Sequence, residues 1–127
     1  MSNSRKDYRL YFLDIASFCK KISFYTRGLT FKEFAREAKT IDAVVRNLEI
    51  IGEAVNKIPS EIRRKTPEIP WNKIVGLRNK VIHEYFDVNI PIIWETVKED
   101  IPFLAKQVKK ALENKSLFRT RFGSKLK

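Results

Sequence analysis

Two long stretches of apolar residues at three- and four-residue spacing constrain this chain more than any other feature. The first is Tyr8, Tyr11, Phe12, Ile15, Phe18, Cys19, Ile22 and Tyr25; the second is Ile41, Val44, Val45, Leu48, Ile51, Gly52, Val55 and Ile58. Both follow the 3.6-residue period that lines one face of a helix. Gly28 ends the first helix and Pro59 stops the second. Thr30 followed by Glu33 makes a capping box, and Phe31 and Phe34 open an apolar stripe behind it. The spacing leaves open whether that helix runs on through Ile58 or breaks near Lys39 and Thr40.

Downstream, Ser60 is placed to cap one short turn, Glu61 to Lys65, before Pro67 and Pro70. Pro70 suits the first turn of a helix over Trp71 to Tyr85, with Trp71, Ile74, Val75, Val81 and Ile82 on or near one face. Asp87, Val88 and Asn89 form a turn, with Asn89 as cap and Pro91 tolerated just inside the next helix. That last helix runs from about Ile90 to Leu112, with Ile93, Trp94, Val97, Ile101, Leu104, Val108 and Ala111 inward. Pro102 lies within it, removes the hydrogen bond to the Lys98 carbonyl and is expected to kink it. Asp42, Arg46, Glu49 and Glu53 share the other face of the second long helix, a solvated or interface-lining polar side. There is no strand-period segment, internal repeat or glycine-rich phosphate loop. The expected fold is all-α, an antiparallel bundle of four or five helices.

At 127 residues the chain is long enough for one domain to bury a core without disulfides or metal. Cys19 is the only cysteine and His83 the only histidine, so an internal disulfide is impossible and a structural zinc site is close to excluded. Asp14, Lys20 and Lys21 interrupt the first apolar stretch, which therefore does not read as a signal peptide, and no apolar run approaches the length of a membrane span. A cytoplasmic protein is expected, with no membrane association.

The formal charge of +11 is uneven. Residues 1–27 hold six Lys/Arg against two acids, residues 101–127 hold eight against one, and residues 28–100 hold twelve of each. The whole excess lies at the two ends of the chain, a pattern that favours a polyanionic partner. Residues 1–112 are expected to form the helical domain. Residues 113–127, with Lys115, Arg119, Arg121, Lys125 and Lys127, lack an apolar stripe and are expected to be a mobile basic tail.

The residues that bear chemistry converge on Gly76-Leu77-Arg78-Asn79-Lys80-Val81-Ile82-His83-Glu84-Tyr85. Asn79 and His83 are four apart and share a helix face. Arg78 and His83 are five apart, roughly 140° around the axis and about 7.5 Å along it. One helix alone splays them; the long guanidinium stem can recover part of that separation, and a second copy across a two-fold axis could supply the rest. On spacing alone a lone histidine beside an apolar face is more often structural than catalytic.

With these residues in hand, the chain resembles the HEPN superfamily and, within it, the HepT-like toxins. Arg78-Asn79-x-x-x-His83-x-Tyr85 matches that family's Arg-x-x-x-x-His-x-Tyr signature in full. The run Arg46-Asn47-Leu48-Glu49-Ile50-Ile51-Gly52-Glu53-Ala54 resembles its second helix, and Ile69-Pro70-Trp71 leading to Gly76-Leu77-Arg78-Asn79 resembles the entry to its catalytic helix. The likeness spans roughly residues 8–112 and excludes the tail.

The resemblance implies a helical bundle of HEPN type that forms a homodimer and acts as a metal-independent endoribonuclease without a cofactor. It implies RNA as substrate and a MntA-like nucleotidyltransferase antitoxin that transfers AMP to Tyr85. His83 is then the proton carrier, Arg78 the group that stabilises charge on phosphorus, Asn79 an orienting amide, and Tyr85 both an RNA contact and the modification target. Two other readings stand beside it. One is a non-catalytic HEPN scaffold that holds a nucleotidyltransferase or binds a nucleotide through Arg78 and His83. The other is a basic bundle that binds nucleic acid through its charged ends.

Overall fold

A computed structural model describes residues 7–76 and 89–118 of the chain. In order, these form α1 (Tyr8–Thr26), α2 (Phe31–Ala35), α3 (Ala38–Asn56), α4 (Ser60–Lys65), α5 (71–76), α6 (Ile90–Glu95), a π turn (Thr96–Asp100), α7 (Ile101–Glu113) and a 3-10 turn (Lys115–Phe118). Among the described residues there is no strand, and the expected all-α class holds.

α1 packs against both α3 and α7, and its inner arc fills the centre of the core. Phe12, Ile15, Cys19 and Ile22 of α1 meet Val44, Leu48, Ile51 and Val55 of α3 and Ile101, Leu104 and Val108 of α7, all of them buried. These are the positions that the two periodic stretches place inward. Asp7 caps α1 by accepting from the Arg9 amide at 3.0 Å. Gly28, at φ +77°, turns the chain in the left-handed region that costs glycine nothing, so the helix ends there.

The capping box at α2 is complete. Thr30 Oγ1 accepts from the Glu33 amide at 3.1 Å, and Glu33 Oε1 accepts from the Thr30 amide at 2.9 Å. The helix then breaks at Arg36 and Glu37, slightly before Lys39. The break lets α2 reach α6, where Phe34 and Phe31 lie 5.0 and 6.2 Å from the Trp94 ring, centroid to centroid. The polar stripe on α3 faces outward, and Arg46 pairs with Glu49 at 3.6 Å.

One local expectation, the cap at Ser60, is corrected, and the helix around Pro102 shows how the proline is taken up. Ser60 does not cap α4: Pro59 occupies the cap position in extended conformation, and its carbonyl accepts from the Ile62 and Arg63 amides at 3.1 Å each. Pro102 is accommodated by a π turn over Thr96–Asp100, closed by the Ile101 amide donating to the Thr96 carbonyl five residues back. A proline ring clashes with the carbonyl four residues before it, and a widened turn there relieves that clash.

Past Leu112 the chain stays on the body for several residues. α7 runs to Glu113, Leu117 is buried, and the Phe118 ring stands edge-on to Phe12 with centroids 5.0 Å apart. The remainder of the expected basic tail, from Arg119, lies outside the described residues.

The buried polar side chains are satisfied locally. Thr26, Asn47, Thr66 and Thr96 each donate to a carbonyl four residues back, at 2.7 to 2.9 Å. None is left as an unpaired polar group in the core.

Candidate active site

The structure fixes the start of α5 through Trp71. Its indole is buried, stands edge-on to Phe12 with centroids 5.8 Å apart, and donates from Nε1 to the Thr66 carbonyl and Oγ1 at 3.2 Å each. The Arg63 guanidinium lies 5.8 Å from the centre of the same ring. From there Arg63 donates to the Ile58 carbonyl at 3.0 Å and the Val55 carbonyl at 2.7 Å. The Val55 carbonyl belongs to the last turn of α3 and the Ile58 carbonyl to the turn just past it, where a cation answers the unpaired acceptors and the negative pole of the helix. α5 is thereby tied to α1, α3 and α4 at once. Ile69 and Ile74, also buried, complete the contact, and Val75 is partly buried against the core.

The signature residues follow directly. Arg78, Asn79, His83 and Tyr85 lie outside the described residues, as do Val81 and Ile82. What the structure supplies is the frame on either side of them. Upstream the frame ends at Gly76. Downstream it resumes at Asn89, whose Oδ1 accepts from the Ile92 amide at 3.1 Å and caps α6, with Pro91 inside the first turn as expected.

Both sides of this frame border one open cleft of about 370 Å³, lined among the described residues by Lys73, Gly76, Ile92, Glu95, Thr96, Glu99 and Asp100. Lys73 Nζ meets Asp100 Oδ1 at 2.8 Å across it, joining α5 to the π turn. The hydrogen bond to Asp100, helped by the charges of Asp100, Glu95 and Glu99, raises the lysine pKa and keeps it cationic. Three carboxylates and one ammonium line the described walls of the cleft. Sequence reasoning missed this pair, and also missed the anchoring role of Arg63.

Cys19 is no candidate nucleophile. It is buried, and desolvation pushes its thiol from 9.0 up to about 12, so the reactive thiolate is scarce at neutral pH. Among the described residues no group of three or more His, Cys, Asp or Glu is placed to hold a metal ion. No described helix is long and apolar enough to cross a membrane.

Comparison with known proteins decides the family. Residues 15–111 match the family described as ribonuclease HepT-like. The chain belongs to the HepT-like ribonuclease family. Two relatives support the assignment over nearly their full lengths. A protein named probable ribonuclease HepT in Thermococcus cleftensis is 46% identical over 110 residues, covering 87% of this chain and 97% of the relative. A protein named as a candidate RNase in Caldanaerobacter subterraneus is 45% identical over 108 residues, covering 85% and 96%. A third relative, named as a candidate RNase in Methanocaldococcus jannaschii, is 39% identical over 110 residues, covering 87% and 95%. No solved structure gives a significant match.

Proposed function

We propose that this HepT-like protein is a metal-independent endoribonuclease, the toxin of a toxin-antitoxin pair, neutralised when a MntA-like nucleotidyltransferase transfers AMP to Tyr85. The observation that carries the reading is the complete Arg78-Asn79-x-x-x-His83-x-Tyr85 signature inside a chain that matches the ribonuclease family over residues 15–111.

The chemistry follows from the residue types. In RNA the 2′-hydroxyl attacks the adjacent phosphorus, the bond to the 5′-oxygen breaks, and the products are a 2′,3′-cyclic phosphate and a free 5′-hydroxyl. DNA lacks that nucleophile and is not cut. His83 moves one of the two protons, because imidazole titrates nearest neutrality. With one histidine per chain, the second proton belongs to His83 of another copy, Tyr85 or water. Arg78 stabilises the added charge on phosphorus with its fixed fork of donors. Asn79 orients the phosphate or the imidazole.

A homodimer answers the five-residue spacing, since two signature helices at one two-fold axis can each lend what the other lacks. AMP on Tyr85 puts a bulky anion beside the RNA phosphate position and blocks it by volume and by charge.

The test is to purify the protein alone and after incubation with a MntA-like nucleotidyltransferase and ATP. Alone it cleaves RNA. After incubation its mass rises by one or more AMP units located at Tyr85, and cleavage is lost. Tyr85→Phe gains no mass in the same incubation. A parent protein that keeps its mass and its activity beside an active nucleotidyltransferase contradicts the neutralisation step.

A further inference from the structure

The fold brings the two basic ends of the chain together. Residues 7–27 and 101–118 carry eight Lys/Arg against three acids, whereas residues 28–76 and 89–100 carry ten of each. The first set is α1 and α7 with their flanks, and these two helices pack side by side. They run antiparallel: Phe12, near the start of α1, touches Phe118, just past the end of α7. Lys20 and Lys21 of α1, Arg27 just past its end, and Lys106, Lys109 and Lys110 of α7 are all exposed. Neither of the ion pairs between described residues, Arg46 with Glu49 and Lys73 with Asp100, involves them.

Aromatic rings are interleaved with these cations. Phe24 is 63% exposed and Phe103 47% exposed, one on each helix. Lys21 lies 5.0 Å from the centre of the Phe18 ring and Arg27 lies 5.6 Å from that of Phe24. α1 is low in amphipathic contrast because its outward arc repeats apolar residues at Leu10, Leu13 and Phe24, beside the lysines. Cations for phosphates, with exposed π faces between them, are the recipe for gripping single strands without reading sequence.

We propose that the α1–α7 face is a track for single-stranded RNA outside the scissile site, with phosphates on the lysines and bases against Phe24 and Phe103. This rests on the ribonuclease reading. At 19 residues, α1 is about 28 Å long. Several nucleotides fit along it.

Binding of the full-length protein to 2′-O-methyl oligonucleotides, which lack the attacking hydroxyl, tests the track apart from cleavage. Two charge-reversed pairs, Lys20→Glu with Lys21→Glu and Lys109→Glu with Lys110→Glu, are compared with Lys32→Glu with Lys39→Glu. The last pair changes net charge equally but lies on α2 and α3. Circular dichroism confirms the fold of each. The α1 and α7 pairs weaken binding about tenfold or more at low salt and flatten its salt dependence, and the deficit grows with oligonucleotide length. The Phe24→Ala with Phe103→Ala variant weakens binding with the salt dependence unchanged. Equal loss in all three charge pairs, or no loss in the α1 and α7 pairs, overturns the track. A parent that binds along the track yet cuts no RNA upholds the track and sinks the ribonuclease reading; a parent that cuts RNA with binding indifferent to these variants does the reverse.

Discussion

The Trp71 ring stands edge-on to that of Phe12, with centroids 5.8 Å apart and planes at 75°. Phe12 in turn meets Phe118 at 5.0 Å. One ring at the start of α1 therefore supports both the helix that leads into the signature and the last turn of the described chain. Trp71→Ala removes the ring between Phe12 and Arg63 and should cost about 3–5 kcal/mol of stability, read from urea unfolding. Trp71→Phe keeps a ring there but drops the bond from Nε1 to Thr66, and should cost about 1 kcal/mol. If both variants unfold at the parent's midpoint, Trp71 is not the anchor described.

The capping box gives a sharper test of local structure. Thr30→Ala should destabilise the protein by about 1 kcal/mol. Because Thr30 and Glu33 satisfy each other's backbone amides, Glu33→Ala added to Thr30→Ala should cost less than the two single changes summed. Strict additivity in denaturant midpoints would mean that the reciprocal pair is not formed in solution.

Burial of Cys19 makes a pH prediction. Its thiol has a pKa of 9.0 in the unfolded chain, and burial pushes it up to about 12 in the folded one. A group whose folded pKa is raised lends its stability fully below the unfolded value and loses it as pH climbs toward the folded value. Above pH 9 the parent should therefore lose stability relative to Cys19→Ala by about 1.4 kcal/mol per pH unit. At neutral pH the native protein should resist alkylation by iodoacetamide until it is unfolded. Rapid native alkylation would show the thiol to be exposed.

Much of this architecture is visible in the sequence, and the exceptions share a cause. The long stripes, the Thr30–Glu33 box, the turn at Gly28 and the Asn89 cap are local patterns, and the structure shows each of them. The break at Arg36 and Glu37 is not readable, because a polar junction suits a continuous helix as well as a broken one. What decides it is Trp94, more than fifty residues away in the chain. Lys73 and Asp100 are 27 residues apart, and only the packing of α5 on the π turn joins them. Leu117 and Phe118 are too few to make a stripe, and they are held because Phe12 offers a surface. The candidate site divides in the same way. The signature spacing is a sequence fact, while the cleft walls at Glu95 and Glu99 come from tertiary packing. Arg78, Asn79, His83 and Tyr85 lie outside the described residues.

Within the proposed mechanism Arg78 is the most sensitive to a conservative change. Lysine keeps the charge but loses the planar fork of donors. Arg78→Lys should lower kcat for RNA cleavage by about 10²-fold with a smaller change in KM, since the contact strengthens as charge builds on phosphorus. Equal rates for the two proteins would remove Arg78 from the charge-stabilising role.

The most direct measurement is cleavage of RNA by the purified, partner-free protein in excess EDTA, beside His83→Ala confirmed to keep its helical circular dichroism. The parent alone should cut, leaving 2′,3′-cyclic phosphate ends. Equal cleavage by His83→Ala, or no cleavage of several RNAs by a parent whose mass shows Tyr85 unmodified, would contradict it.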